Sequence, residues 1–400
     1  MRVSYGQSVH GEDEIDAVVR VLRTSTQMGP HVRSFEKQIA ALFNKQFGIM
    51  VNSGSSAISL ALEVLDLPAG SEVLTPALTF STTVAPLVRA GLVPAFIDVE
   101  EGTYNIDVGR IAELVNNRTS AIVVPNLIGN IPDWDVIRSI ADQNSLKVIE
   151  DSADTLGATL RGQSTGARSD ISTTSFYGSH IINCAGNGGF IGINDPEMAR
   201  RLFLLRSWGR SSSLFAREKS EQIETRFDIK LDGISYDRKF VFEDIGYNLE
   251  PSELGAAFGT VQLAKLSTNI AVRRRNFDRL FGFFGAYEDF FVLPREMEET
   301  HTGWLAFPLT IRDSAPFTRK EFQIHLEQAD IQTRPVFTGN ILRQPAFTGI
   351  ERREANGGYP EADKVTRGGI LLGCHHGLTD DHLDYLETQV SRFLTIRNHK

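Results

Sequence analysis

Three groups of residues in this chain have the types and spacing that chemistry needs. The first is the loop from Ser175 to Gly189, with His180 at what reads as its exposed crest. Imidazole titrates near neutrality, so a positioned histidine can take and return a proton at physiological pH. Taken alone, the stretch also suits an ordinary loop histidine, the commoner case. The second group is Asn52-Ser53-Gly54-Ser55-Ser56-Ala57, small residues between a strand candidate and a helix candidate. Backbone N–H groups at such a helix start point outward, the dipole favours an anion, and Ser55 and Ser56 add donors. A plain helix cap fits the same residues equally well. The third group closes apolar segments: Thr79-Phe80, Asn126 through Asn130, and Glu150-Asp151.

The elements that must position these groups follow from periodicity. Ile15, Val18, Val19 and Leu22 recur at a helical period, as do Phe35, Ile39, Ala40 and Leu42, and then Ile58, Leu60, Ala61, Leu62 and Leu65. Short apolar runs lie between the helical stretches: Phe47–Val51, Val73-Leu74, Ala95–Ile97, Ala121–Val124, Val148-Ile149, and a strand pair on either side of the histidine loop. Such alternation predicts a mostly parallel sheet covered on both faces, with ligands beyond the C-terminal ends of its strands. Arg206 to Asn248 is polar and aperiodic, and a segment of that length in a compact domain is usually functional or partly disordered. A helix from Pro251, an Arg- and Phe-rich helix over Val272–Phe284, a strand over Trp304–Ile311, a helix over Arg319–Gln328 and a closing helix from Asp380 to Leu394 complete the pattern.

Bulk properties exclude several classes. With 400 residues the chain is long enough for two domains, and its formal charge of −9 argues weakly against nucleic-acid binding. No apolar run reaches membrane-spanning length and residues 1–6 show no signal-peptide pattern, so a cytoplasmic enzyme is expected, away from membranes. Two cysteines, Cys184 and Cys374, exclude a disulfide framework or a four-thiolate metal site within one chain. No dinucleotide fingerprint, P-loop or HExxH is present, and the adjacent pair His375-His376 is a poor chelate.

In order and spacing, these pieces resemble the DegT-like sugar aminotransferase superfamily of fold-type-I pyridoxal phosphate (PLP) enzymes over nearly the full length. The landmarks are Gly29, Phe35-Glu36, Asn52 through Ser55, Pro76 through Phe80, Glu150-Asp151, the loop 175–189, Arg206 with Gly209, and Gly246-Tyr247-Asn248. In that superfamily the loop carries a lysine that holds the cofactor as an imine. Here its position is His180, and imidazole cannot hold an imine stably. With Ser175-Phe176 and Gly188-Gly189 in family register, the functional reading of His180 overtakes the ordinary one. His180, Ile128-Gly129-Asn130 and the run from Gly339 to Ala346 are similar to the sugar 3-dehydratase branch.

The resemblance implies an α/β fold, that of a fold-type-I PLP-dependent transferase. Its mostly parallel central sheet would belong to a large cofactor domain (1–255), followed by a smaller C-terminal α+β domain (256–400). It implies that Asp151 pairs with the pyridine nitrogen, that Phe80 stacks on the ring, and that Gly54, Ser55 and Ser175 bind the phosphate. Asn248 would reach the phosphate site of the neighbouring subunit, giving a homodimer with shared active sites. Asp154 stands where a glutamine is common. One type in the branch binds a [2Fe–2S] cluster through four cysteines; the corresponding positions here are Ala153, Ser211, Ser213 and Glu221, so the cluster-free type and no metal are expected.

The expected activity is C3 dehydration of a nucleotide-diphosphate-linked 4-keto-6-deoxy sugar, using pyridoxamine phosphate (PMP). His180 would move the protons, and an amino donor such as glutamate would regenerate PMP from PLP. Arg334 and Arg343 are candidates for the sugar or diphosphate, although a surface ion pair is the commoner fate of an arginine. The competing readings are an aminotransferase that works without the lysine and a non-catalytic effector-binding protein. Retention of Asp151 speaks against the latter.

Overall fold

Short, buried, apolar strands set the frame, as expected for strands covered on both faces. In the computed structural model, which describes residues 1–215 and 223–398, seven strands form most of one sheet. They are β1 (Phe47–Val51), β2 (Glu72–Pro76), β3 (Val93–Ile97), β4 (Thr119–Pro125), β5 (Lys147–Asp151), β6 (Ile171–Ser175) and β7 (Gly189–Ile193). Their order across the sheet is β1-β7-β6-β5-β4-β2-β3, with Arg353–Glu354 as a short eighth strand beside β3. Only β7 runs against its neighbours β1 and β6. The mostly parallel sheet read from the sequence is therefore present.

Helices follow the strands in the expected alternation: α1 (Glu12–Leu22), α2 (Pro30–Leu42), α3 (Gly54–Val64), α4 (Ser81–Arg89), α5 (Trp134–Gln143) and α6 (Pro196–Arg206). Beyond them lie α7 (Glu253–Ala264) and α8 (Leu266–Gly285). Helix α7 packs on α1 and α2, so the division expected at 255/256 falls inside a helix. Helix α8 begins at Leu266 rather than at the expected Val272, because Leu266 and Ile270 also bury their side chains. The C-terminal part carries a three-stranded antiparallel sheet (Phe291–Val292, Phe307–Ile311, Gly369–Leu372) with helices Arg319–Gln328 and Asp380–Asn398, an α+β arrangement. The strand expected from Trp304 starts only at Phe307, since Trp304 turns into the core and stacks on Phe277 at 4.5 Å. The largest apolar cluster joins Leu74, Phe96 and Ile122 of the large sheet to Phe277, Phe307 and Leu386 of the C-terminal part. Among the described residues no helix is long and apolar enough to cross a membrane.

Candidate active site

The C-terminal ends of β1, β5 and β6 open on a cavity of about 360 Å³. Gly54, Ser55, Phe80, Asp151, Ser175 and His180 all line it, so six residues from distant parts of the sequence converge there. Tyr5 and, from the C-terminal part, Leu305 and Phe337 complete much of the wall.

One end is the start of α3. Ser53 is its N-cap: the hydroxyl accepts the Ser56 N–H at 3.2 Å. Ser53 takes the cap, which leaves Ser55 exposed on the cavity. Gly54 is needed for close approach, because a Cβ there would lie 2.7 Å from the Ser175 Cβ. The outward N–H groups and dipole of an eleven-residue helix, with the Ser55 and Ser175 hydroxyls, form a cradle suited to a phosphate.

At the end of β5, Asp151 accepts the Thr83 hydroxyl at 3.0 Å and the Ala153 N–H at 3.1 Å. Thr83 is in turn bonded to Thr79 at 2.9 Å. Among the described residues no cationic side chain pairs with Asp151, and burial pushes its carboxyl up to about 6. A buried carboxylate without a cation is an unfinished site, and a protonated ring nitrogen would complete it. Phe80 is half exposed, with its ring edge-on to Phe337 at 6.0 Å, so an aromatic surface is open to the cavity. Phosphate cradle, aromatic surface and unpaired acid fit a phosphorylated pyridine cofactor.

His180 is not at an exposed crest. The loop folds back so that its imidazole is half buried, with Nδ1 3.1 Å from the Ser175 carbonyl oxygen and the Tyr177 ring at 5.9 Å. The loop cannot stand away from the body because Phe176, Ile181, Ile182 and Cys184 anchor it in an apolar cluster. A carbonyl only accepts, so Nδ1 carries the proton and Nε2 keeps the lone pair. Burial is the largest cause that lowers His180, to about 4, with the Arg273 charge adding to it.

Asp154, with no assigned part in the sequence, lines the same cavity and accepts the Ile128 N–H at 2.9 Å. Burial, and then the Asp151 charge, raise it to about 7. Ile128 and Gly129 both have left-handed backbone (φ 62° and 92°), and a Cβ on Gly129 would meet the Leu305 N at 2.8 Å. The branch feature Ile128-Gly129 thus docks Leu305, whose N–H bonds the Ile128 carbonyl at 2.8 Å.

The two arginines expected at the substrate are not brought to this cavity. Arg343 pairs with Asp363 at 2.7 Å on the exposed surface. Arg334 lies over the Tyr5 ring at 5.5 Å, one residue removed from the cavity. Asn248 is exposed and paired with Ser207 in an isolated bridge. Of the positions that correspond to cluster cysteines, Ala153 lines the cavity, Ser211 donates to Glu243 at 2.6 Å, and Glu221 lies outside the described residues. Both cysteines are buried and unpaired, and among the described residues no His, Cys, Asp and Glu group could hold a metal. Sequence reasoning missed Tyr5, Thr83 and Leu305. Thr83 stands one helical turn after Phe80 and was readable from that spacing, whereas Tyr5 and Leu305 carry no local signal.

The chain is similar to several characterised proteins. It is 36% identical over 399 residues to the dTDP-4-dehydro-2,6-dideoxy-D-glucose 3-dehydratase of Saccharopolyspora spinosa, covering 97% of this chain and 86% of that one. It is 30% identical to the GDP-4-keto-6-deoxy-D-mannose 3-dehydratase of Yersinia pseudotuberculosis, covering 92% and 93%. Among solved structures, Escherichia coli GDP-4-keto-6-deoxy-D-mannose-3-dehydratase with bound hydrated PLP superposes with a TM-score of 0.87 at 29% identity, over 97% of this chain and 100% of that one. The profile of the DegT/DnrJ/EryC1/StrS aminotransferase family matches residues 9–391, and the chain belongs to that family.

Proposed function

We propose that the chain is a PMP-dependent 3-dehydratase, a lyase that removes the C3 oxygen of a nucleotide-linked 4-keto-6-deoxy sugar and yields the 4-keto-3,6-dideoxy sugar. The observation that carries this reading is the cavity's make-up: His180 lines the same cavity as Asp151, which has no cationic partner among the described residues, and no lysine is among the described lining residues. The covalent lysine link on which an aminotransferase relies has no donor there. The 3-dehydratase relatives and the PLP-bound neighbour point the same way.

PMP, when bound, supplies an amine for the C4 ketone and a ring that stores the electron pair freed beside it. Gly54, Ser55, Ser175 and the start of α3 would hold the phosphate, Phe80 would cover the ring, and Asp151 would stabilise positive charge on the ring nitrogen. His180, neutral at pH 7, takes a proton on Nε2 while its Nδ1–H stays on the Ser175 carbonyl. The same Nε2–H then serves as the acid for the departing C3 hydroxyl, which leaves as water. Net, the sugar loses one oxygen, ammonia is released, and an amino donor such as glutamate restores the amine. Arg334, outside the cavity lining but stacked on Tyr5, would need to reach past that ring to meet the diphosphate or the donor carboxylate.

The working unit is a homodimer. Phe227, Ile234, Tyr236, Phe240, Phe242 and Ile245 are exposed on one polar-to-apolar strap, and Ile245 is 92% exposed. Such a patch is the mark of an interaction face. A second hollow, lined by Tyr247 and Leu249, shares Ser55 with the first; in the homodimer, Asn248 would be the polar contact to the partner's phosphate end. Two buried, unpaired cysteines suit a cytoplasmic enzyme.

The test is incubation with PMP, glutamate and a panel of nucleotide-linked 4-keto-6-deoxy sugars under mass detection. A product lighter by one oxygen is expected. A product that has gained nitrogen would identify an aminotransferase, and no turnover of any sugar would favour a binding protein.

A further inference from the structure

Behind the site loop lies a charge that the reaction scheme does not use. Arg273, in the middle of α8, has no exposed surface, and among the described residues no carboxylate pairs with it. Burial lowers its guanidinium to about 10, so it remains charged at pH 7. All three of its nitrogens are engaged. Nη1 donates to the Trp304 and Leu305 carbonyls at 3.1 Å each, Nη2 to the His180 carbonyl at 3.5 Å, and Nε to Nδ1 of His376 at 3.2 Å. Two of these partners, His180 and Leu305, line the cavity.

We propose that Arg273 is a positioning residue for the proton-transfer step: its guanidinium ties the main chain of His180 to that of Leu305 and sets an unpaired positive charge behind the imidazole. The inference rests on the reading of His180 as the proton carrier. A planar fork is the side chain suited to gathering carbonyls from two separate segments, whereas a lysine ammonium is a single point donor. An unpaired buried charge opposes folding, so apolar packing would be the more stable way to fill this space. What the charge adds is a field at His180 that resists protonation. The base stays neutral, and once Nε2 has taken a proton the imidazolium is the stronger acid toward the leaving hydroxyl.

The neighbouring groups fit this arrangement. His376 accepts from Arg273 on Nδ1, and burial, with the Arg273 charge next, lowers it to about 3, so it is a neutral acceptor and adds no second cation. Its neighbour His375 accepts the Gly377 N–H on Nδ1 and donates from Nε2 to the Ser4 carbonyl at 3.1 Å, which fixes the segment leading to Tyr5. The histidine pair of the sequence is therefore a support layer. His180 faces Tyr177 on its own loop and shares the cavity lining with Asp151 at the end of β5, Asp154 after it, and Tyr5 from the N-terminal segment. Where ionised, carboxylates in the same cavity would favour the imidazolium, and Arg273 acts against them.

The experiment uses the cofactor-loaded protein labelled with ¹³C at histidine Cε1, with His180→Asn to assign the His180 signal. In Arg273→Gln the His180 titration should move up by roughly half a pH unit or more. The dehydration kcat should fall at least about tenfold, with the sugar KM within about threefold of wild type. In Arg273→Lys, which keeps the charge and loses the fork, the titration should stay near wild type while kcat falls. An unmoved His180 titration in folded Arg273→Gln, or a wild-type kcat in Arg273→Lys, would overturn the proposal; the lysine variant decides alone should the glutamine variant not fold. Wild-type dehydration by His180→Asn overturns the underlying reading instead, so the two failures are distinct.

Discussion

At the scale of single residues, the site is defined by Asp151 and Arg273, which have no oppositely charged partner among the described residues. Asp151 has a folded value near 6 against about 3.9 for a free aspartate. Below pH 4 the group is protonated in folded and unfolded chains alike and contributes nothing. Between pH 4 and 6 the unfolded chain ionises first, so the cofactor-free fold loses stability as pH rises, and above pH 6 the full penalty is present. A cationic ring nitrogen opposite Asp151 offsets that penalty only where the carboxylate is ionised. Addition of PMP should therefore raise Tm more at pH 8 than at pH 5. In Asp151→Asn the gain should be smaller at both values, and the difference between them should shrink, leaving only the part due to the phosphate. Equal pH dependence in Asp151→Asn and wild type would contradict the pairing. The types of these residues were legible in the sequence, since a histidine where a lysine is usual can be read from one position. The burial of His180 was not legible, because it comes from Ile181, Ile182 and Cys184 packing against helices far away in the chain.

At the scale of elements, the phosphate end depends on how closely β6 approaches the start of α3. Gly54→Ala would place a methyl group 2.7 Å from the Ser175 Cβ. Overpacking of this kind costs about 1–3 kcal/mol, here by spreading the cradle, so the PMP dissociation constant should rise by about tenfold or more while the far-UV spectrum stays native. Unchanged affinity in a titration followed by cofactor absorbance would show that the cradle lies elsewhere. Periodicity located helices such as Arg319–Gln328 to the residue, because their apolar positions alone decide them. It overran at Trp304, which is buried by stacking on Phe277 rather than by pairing in a strand. Periodicity also had nothing to say about the hairpin Ile229–Leu231 and Ile234–Tyr236, whose Leu231, Ile234 and Tyr236 side chains are exposed.

At the scale of the whole molecule, the proposed homodimer would cover those outward side chains. Light scattering should give the mass of two chains. Ile245→Asp, at a position 92% exposed, should leave the fold intact, shift the protein toward monomer and weaken PMP binding as Asn248 is withdrawn. A wild-type monomer with full cofactor occupancy would refute the shared site. The reaction as a whole offers the most direct test. PMP-loaded wild type and His180→Asn are mixed with a nucleotide-linked 4-keto-6-deoxy sugar in the absence of any amino donor, and a single turnover is followed by mass and by ammonia release. The account predicts one deoxygenated sugar and one ammonia per site from wild type, and a rate about 10²- to 10⁴-fold lower in His180→Asn at equal cofactor occupancy. An aminated sugar, or a wild-type rate from His180→Asn at equal occupancy, would contradict it.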